Sequence, residues 1–316
     1  MKAALVTDLN NPPVFGITDA PTPQADDLLV YPTASTISQL VRAKASGRHY
    51  SANLSLPFVP GVDGVGRLAS GERVFFAFPP MGSMAEQTLV KRSQCVAVPD
   101  DLDDVTAAAL GNPGMSSVAA LQYRAGFKSG DNVLINGAAG ASGRLAIQIA
   151  RYLGAGKIIA SARNAAEESS LLALGADEFI CLAQPHEQLI ARLKESMIQS
   201  GIDIVLDYLW GTPAAAILTA AANTAMTNAL KFVNIGSLAG ADIPLNASIL
   251  RSKNLQLMGS GLGSVSNAAL LYCIGQVLQM ARPAGLQIAT HTMPLEQVSE
   301  AWQYTGPERL VLTIGS

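Results

Sequence analysis

The stretch Asn132-Val-Leu-Ile-Asn136-Gly137-Ala-Ala-Gly140-Ala-Ser-Gly143, running on into Arg-Leu-Ala-Ile-Gln-Ile-Ala-Arg-Tyr-Leu153-Gly154, decides the fold. Its apolar run reads as a buried strand. Ala141–Leu153 has helical periodicity and stops at a glycine. Between them lie three glycines spaced G-x-x-G-x-x-G. Gly137 permits a tight turn, Gly140 lets a ligand approach the backbone, and Gly143 lets the helix pack closely on its strand. Ala138, Ala139, Ala141 and Ser142 complete a loop whose backbone N–H groups, at a helix start, suit a phosphate.

Working outward, the pattern alternates. Lys157–Ala160, Glu178–Cys181, Ile202–Leu206, Lys231–Ile235 and Leu255–Met258 read as strands. Ala165–Leu174, Glu187–Ile198, Ala214–Ala222 and Asn267–Met280 read as helices. Such alternation means βαβ units and a parallel sheet with helices on both faces. A Rossmann-type domain over 107–280 is expected. In that fold, a carboxylate about 20 residues beyond the glycines marks an NAD site. Here Ser161-Ala-Arg163-Asn164 stands in its place, so Arg163 and Ser161 are expected to donate to a 2′-phosphate and Asn164 to lie beside them. The cofactor expected is therefore NADPH. Asn234, Gly236, Ser237, Ser260, Gly261 and Leu262 follow predicted strands at the edge where open α/β sheets bind ligands.

Residues 1–106 have another character: short β-like runs such as Lys2–Asp8, Asp27–Ser35 and Gly64–Phe78, separated by Pro and Gly. Asp103–Gly126 reads as a helix that Asp103 or Asp104 can cap, a break at Gly111-Asn112-Pro113-Gly114, and a second helix. Residues 281–316 read as strand, helix and strand returning to the first domain. The fold class is α/β: a parallel-sheet domain inserted in a mostly β one.

The bulk numbers exclude several functions. Among 316 residues, 49% are hydrophobic and 14% charged, with a net charge of −3 and no basic block, which argues against nucleic-acid binding. The mean hydropathy of +0.28 comes without any apolar run of about 18 residues, so no membrane span is expected. Three scattered cysteines and three scattered histidines form no metal-ligand spacing and fit a reducing cytoplasm.

Several segments together resemble the medium-chain dehydrogenase/reductase superfamily, in its zinc-independent quinone oxidoreductase branch. These are Val59-Pro60-Gly61-Val62-Asp63-Gly64-Val65-Gly66-Arg67, Gly71-Glu72-Arg73-Val74, Asn112–Leu121, Gly130–Leu134 with the glycine loop, and Leu174-Gly175-Ala176-Asp177. Gly61-Val62-Asp63 stands where zinc-dependent members carry G-H-E.

The resemblance implies a GroES-like catalytic domain, a homodimer, and hydride transfer from NADPH to a quinone or α,β-unsaturated carbonyl without metal. It adds Ser116 to the cofactor contacts, and it directs the loops after Asn234 and Ser260 to the nicotinamide and its ribose. It makes Tyr50, His49 and Ser35 candidates to orient or protonate the acceptor. The chain departs from the family at Ser35–Ser38, Val118 and Ile180–Cys181. The departures at Ser35–Ser38 and Val118 keep open an NADPH-binding redox sensor with little turnover; the other alternative is a zinc-independent alcohol/aldehyde dehydrogenase, which wants a strong proton relay that the sequence does not show.

Overall fold

The computed structural model describes residues 1–48, 55–225 and 228–315. The chain forms two compact units, Met1–Met115 with Leu270–Ser316, and Ser116–Ala269.

In the first unit, β1 (Lys2–Leu5) pairs with β2 (Val14–Ile17). The larger sheet is built from β3 (Leu28–Thr36), β4 (Asp63–Leu68), β5 (Arg73–Ala77), β6 (Thr88–Val90) and β7 (Cys95–Ala97), with helix α1 (Gln39–Ala45) after β3. Two late strands complete it, β14 (Thr290–Pro294) and β15 (Arg309–Thr313), joined through helix α9 (Val298–Gln303). The order is β14-β15-β3-β4-β5-β7, with β6 also on β3. β15 runs antiparallel to β3, with Leu312 opposite Ser35.

In the second unit, β8 (Val133–Asn136), α3 (Ala141–Tyr152), β9 (Ile158–Ala162), α4 (Glu168–Ala173), β10 (Glu178–Cys181), α5 (His186–Ser200), β11 (Ile204–Asp207), α6 (Gly211–Ala222), β12 (Leu230–Asn234), α7 (Ala247–Ser252) and β13 (Leu255–Gly259) alternate strand with helix. All neighbours are parallel, in the order β10-β9-β8-β11-β12-β13. That is the doubly wound 3-2-1-4-5-6 order, which reverses between β8 and β11. Leu134, Ile159, Val205 and Phe232 of the sheet pack with Leu193 of α5 and Ile217 of α6. Leu145 and Ile149 of α3 are fully buried. Two-sided burial explains why these strands are continuous apolar runs.

Two helices carry the chain between units: α2 (Asp104–Val118) and α8 (Asn267–Met280). The limits set at 106/107 and 280/281 from the sequence fall near the start of α2 and at the end of α8. The expected break at Gly111–Gly114 is absent, since α2 runs through it and continues as a wider π-helical turn, Ala119–Ala125, ending at Gly126 with φ +57°. These glycines serve packing. A Cβ on Gly111 would sit 2.2 Å from the Phe75 ring, and one on Gly114 2.6 Å from Val277. The helix bears Pro113 inside it, which removes one donor but here does not end the helix. Among the described residues, no helix is long and apolar enough to cross a membrane.

Candidate nucleotide-binding site

The glycine turn follows the central strand. Every residue of β8 is buried. Gly137 adopts φ +91°, and its N–H and that of Ala138 donate to the Ser161 carbonyl at 3.1 and 2.8 Å, tying the turn to β9. Gly143 is needed for contact: a Cβ there would lie 2.5 Å from the Gly137 carbonyl oxygen and 2.6 Å from the Ala138 Cα.

Gly140 differs. It is the N-cap of α3, with φ −72° and ψ 162°, and no side chain caps the helix. A Cβ on it would meet nothing nearer than the Gly137 oxygen at 3.8 Å. The helix start thus faces open space, with first-turn N–H groups that have no intrahelical acceptor and a favourable dipole for an anion. A dinucleotide pyrophosphate fits that cradle.

Past β9, Arg163 is exposed and has no side-chain partner among the described residues. Asn164 caps the next turn, its Oδ1 accepting from Ala166 N at 3.1 Å. The placement of Ser161 corrects the expectation for it. Its side chain is fully buried and donates to Asn136 Oδ1 at 2.8 Å, so it braces the sheet and cannot reach a 2′-phosphate.

Asn136 belongs to a network that the sequence reading missed. Its Nδ2 donates to Asp207 Oδ1 at 2.8 Å, and Asn234 Nδ2 donates to Asp207 Oδ2 at 3.0 Å and to the Gly236 carbonyl at 2.8 Å. The N–H groups of Leu209 and Trp210 also donate to Asp207 Oδ1, each at 3.1 Å. Ser161, Asn136, Asp207 and Asn234 thereby link the ends of β9, β8, β11 and β12. Burial pushes the Asp207 carboxyl above its ordinary range, while Asn234, Asn136 and the two N–H groups pull it back. The same contacts hold Trp210 at φ 57°, ψ −151°, a conformation that is costly for any residue but glycine. Asn136 lies 71 residues from Asp207 in the chain and Asn234 27, so no local pattern pairs them. The place of Asp207 at the end of a central strand was the available signal.

Tyr208 extends the site toward α2. Its hydroxyl is 2.9 Å from Ser117 Oγ and also bonds Ser116. Ser116 is therefore engaged with Tyr208. Burial pushes the Tyr208 hydroxyl up to about 12. Gly236 allows the neighbouring loop to pass: a Cβ on it would lie 2.7 Å from the Tyr208 carbonyl oxygen. Ser237 and Gly261 are exposed, Leu262 is half-buried and Ser260 is buried, its N–H donating to the Asn234 carbonyl at 2.8 Å. All follow β12 or β13 on the ligand-binding edge.

In the first unit, Ser35 is fully buried, and its hydroxyl donates to the Asp63 carbonyl at 3.0 Å and sits 2.7 Å from Ser83 Oγ. Sealed in this way, it cannot protonate an acceptor, which corrects its candidacy. His49 and Tyr50 lie outside the described residues. Beside Ser35, Arg309 Nη2 donates to Thr36 Oγ1 at 3.1 Å. Thr36 in turn donates to Asp63 Oδ1 at 3.1 Å, and Asn112 Nδ2 donates to Asp63 Oδ2 at 2.8 Å. Burial pushes the Asp63 carboxyl up, opposed chiefly by the Arg309 charge. This buried relay fastens β15, β3, β4 and α2 together. Arg42, on α1, donates to the Trp302 carbonyl and lies 5.4 Å from the Trp302 ring centroid.

Residues 141–285 match the family model described as zinc-binding dehydrogenase. Among the described residues, no group of three or more His, Cys, Asp or Glu is placed to hold an ion. The chain is 29% identical to a protein named as a probable NADPH-dependent quinone reductase of Emericella nidulans, over 96% of each chain. It is 27% identical to the quinone oxidoreductase of Homo sapiens, over 95% of this chain and 92% of that one. The solved quinone oxidoreductase of Thermus thermophilus shares the fold, with a TM-score of 0.82 at 24% identity, covering 99% of this chain and 100% of that one. This chain belongs to the medium-chain dehydrogenase/reductase superfamily, in the quinone oxidoreductase-like branch.

Proposed function

We propose that the chain is an NADPH-dependent oxidoreductase that reduces a quinone or an α,β-unsaturated carbonyl without metal. One observation carries this reading: an uncapped, open helix start at Gly140 follows β8, and Arg163, a cation unpaired among the described residues, follows the neighbouring parallel strand β9, where an NAD site carries an acid. NADPH, when bound, supplies the hydride. The turn Gly137–Gly143 holds the pyrophosphate, and Arg163 bonds the 2′-phosphate with the Asn164 amide beside it. The Asp207 network fixes the loops after β11 and β12, so that Gly236, Ser237, Ser260 and Gly261 present backbone groups to the nicotinamide half.

With no cluster of metal-ligating side chains among the described residues and with Ser35 sealed, an acceptor that spreads negative charge over its own π-system suits this reading better than a simple ketone. The names of the relatives in Emericella nidulans and Homo sapiens agree with that choice. The outer edge of β13, last in its sheet among the described residues, suits a homodimer, which light scattering would reveal as a doubled mass. The free thiols of Cys95, Cys181 and Cys273 suit the cytoplasm.

The deciding experiment follows cofactor oxidation by absorbance with a benzoquinone, a naphthoquinone, an enal and a simple aldehyde, using NADPH and NADH in parallel. Turnover of quinones or the enal with NADPH preferred is expected. Tight NADPH binding without turnover would instead identify a sensor, and turnover of the aldehyde alone a dehydrogenase of alcohols.

A further inference from the structure

The segment past β9 carries a carboxylate as well as the Arg163 guanidinium. Glu167 ends the turn Ala165–Glu167, and its N–H donates to the Asn164 carbonyl at 3.2 Å, one turn from the strand end. A free carboxylate so near that end would repel a 2′-phosphate and could accept from a 2′-hydroxyl. Glu167 is not free. Arg144, at the start of α3, donates through Nη2 to Glu167 Oε2, and the Ser170 hydroxyl lies 3.3 Å from the same oxygen. Arg144 also donates through Nε to the Ala139 carbonyl at 3.1 Å and through Nη2 to Ser170 Oγ at 3.2 Å. One guanidinium thus spans from the glycine turn to the acid. The side chains are 32% and 29% exposed, so water screens the pair less than it would a fully surface one.

We propose that Arg144 sets cofactor preference by neutralising Glu167, a latent acceptor for the 2′-hydroxyl. Arg144 is a positioning residue in this scheme, and Arg163 remains the direct partner of the phosphate. The proposal rests on the NADPH reading above and deepens it.

The test is binding alone, by cofactor fluorescence, with NADPH and NADH titrated against the full chain and no acceptor present. In Arg144→Ala, NADPH is expected to weaken about tenfold or more while NADH holds or tightens. In the double variant Arg144→Ala with Glu167→Gln, NADPH affinity is expected to recover to within about threefold of the parent, because the unmasked charge is gone. Equal weakening of both cofactors in the single variant, or no recovery in the double, overturns the proposal and leaves Arg144 a structural clamp. Should Arg144→Ala not fold, Glu167→Gln alone decides: NADPH bound as well or better supports masking, and any weakening of NADPH refutes it. A parent chain with no preference for NADPH overturns the functional reading along with this one. A parent that prefers NADPH, with equal losses in the variant, overturns only the masking role.

Discussion

Asn136 donates to Asp207 at 2.8 Å across the seam where the strand order reverses, joining the strand before the glycine turn to the strand beyond it. Asp207→Ala leaves the buried Asn136 amide, the half-buried Asn234 amide and two backbone N–H groups without their acceptor. A loss of about 3–5 kcal/mol is expected, read from denaturant melts, with cofactor binding falling in step as the turn loosens. A loss under about 1 kcal/mol would show that water replaces the carboxylate and that the network is not a brace.

Tyr208 gives an alkaline signature. Its folded-state value of about 12 lies above the ordinary value of 10.0. Between the two, the unfolded chain releases the proton and the folded chain keeps it, so stability is intact below pH about 10 and declines as pH rises toward about 12. The decline amounts to something on the order of 2 kcal/mol. Tyr208→Phe costs about 1 kcal/mol at neutral pH, through the lost contact with Ser117, and removes that decline. Urea melts of both proteins across this range check the slope; parallel curves would mean that the hydroxyl is not held as described.

The two glycines that flank the helix start should separate folding from binding. In Gly143→Ala, the new methyl strikes backbone atoms at 2.5 and 2.6 Å that cannot swing away, so the thermal midpoint falls clearly. In Gly140→Ala, φ is −72° and the protein leaves room, so the fold keeps its stability or gains up to about 1 kcal/mol. The methyl then occupies the space assigned to the pyrophosphate, and NADPH and NADH weaken together. Unchanged binding in Gly140→Ala would place the pyrophosphate elsewhere.

Ser161 and Arg163, two residues apart, should behave oppositely. Ser161→Ala removes a buried donor to Asn136 and costs about 1–2 kcal/mol with the NADPH-to-NADH preference unaltered. Arg163→Ala leaves the melt unchanged and reduces the preference by about ten- to a hundredfold, the worth of a charge-assisted contact of roughly 1.5–3 kcal/mol. Parallel titrations of the two cofactors distinguish them.

The second unit was legible because its signals are local. Apolar runs, helical periodicity and stop glycines lie within a few residues of each other, and each expected strand there appears within one or two residues of its place. The misses share a cause, which is contact between residues distant in the chain. Gly111 and Gly114 look like helix breakers until Phe75 and Val277 are seen against them. Ser161 looks available until Asn136, 25 residues earlier, accepts the hydrogen bond of its hydroxyl. Helix α7 is short and weakly periodic, and the Asn246 side chain that caps it was its one local cue. The family resemblance supplied what no local pattern could, the branch and its chemistry.

The late return of the chain to its first unit bears on how the protein is made. Residues 1–115 leave the ribosome without β14 and β15, yet β15 pairs with β3 and brings Arg309 to Thr36 and Asp63. The open flank of β3 must therefore wait until Arg309, 273 residues beyond Thr36, has been made. The second unit, made from one uninterrupted stretch, can close around its sheet while the first is still unfinished. Newborn chains would pass through a stage with a formed nucleotide cradle and an exposed strand edge. That stage is where chaperone attention and aggregation would fall, and a stop codon shortly before Arg309 would make it permanent.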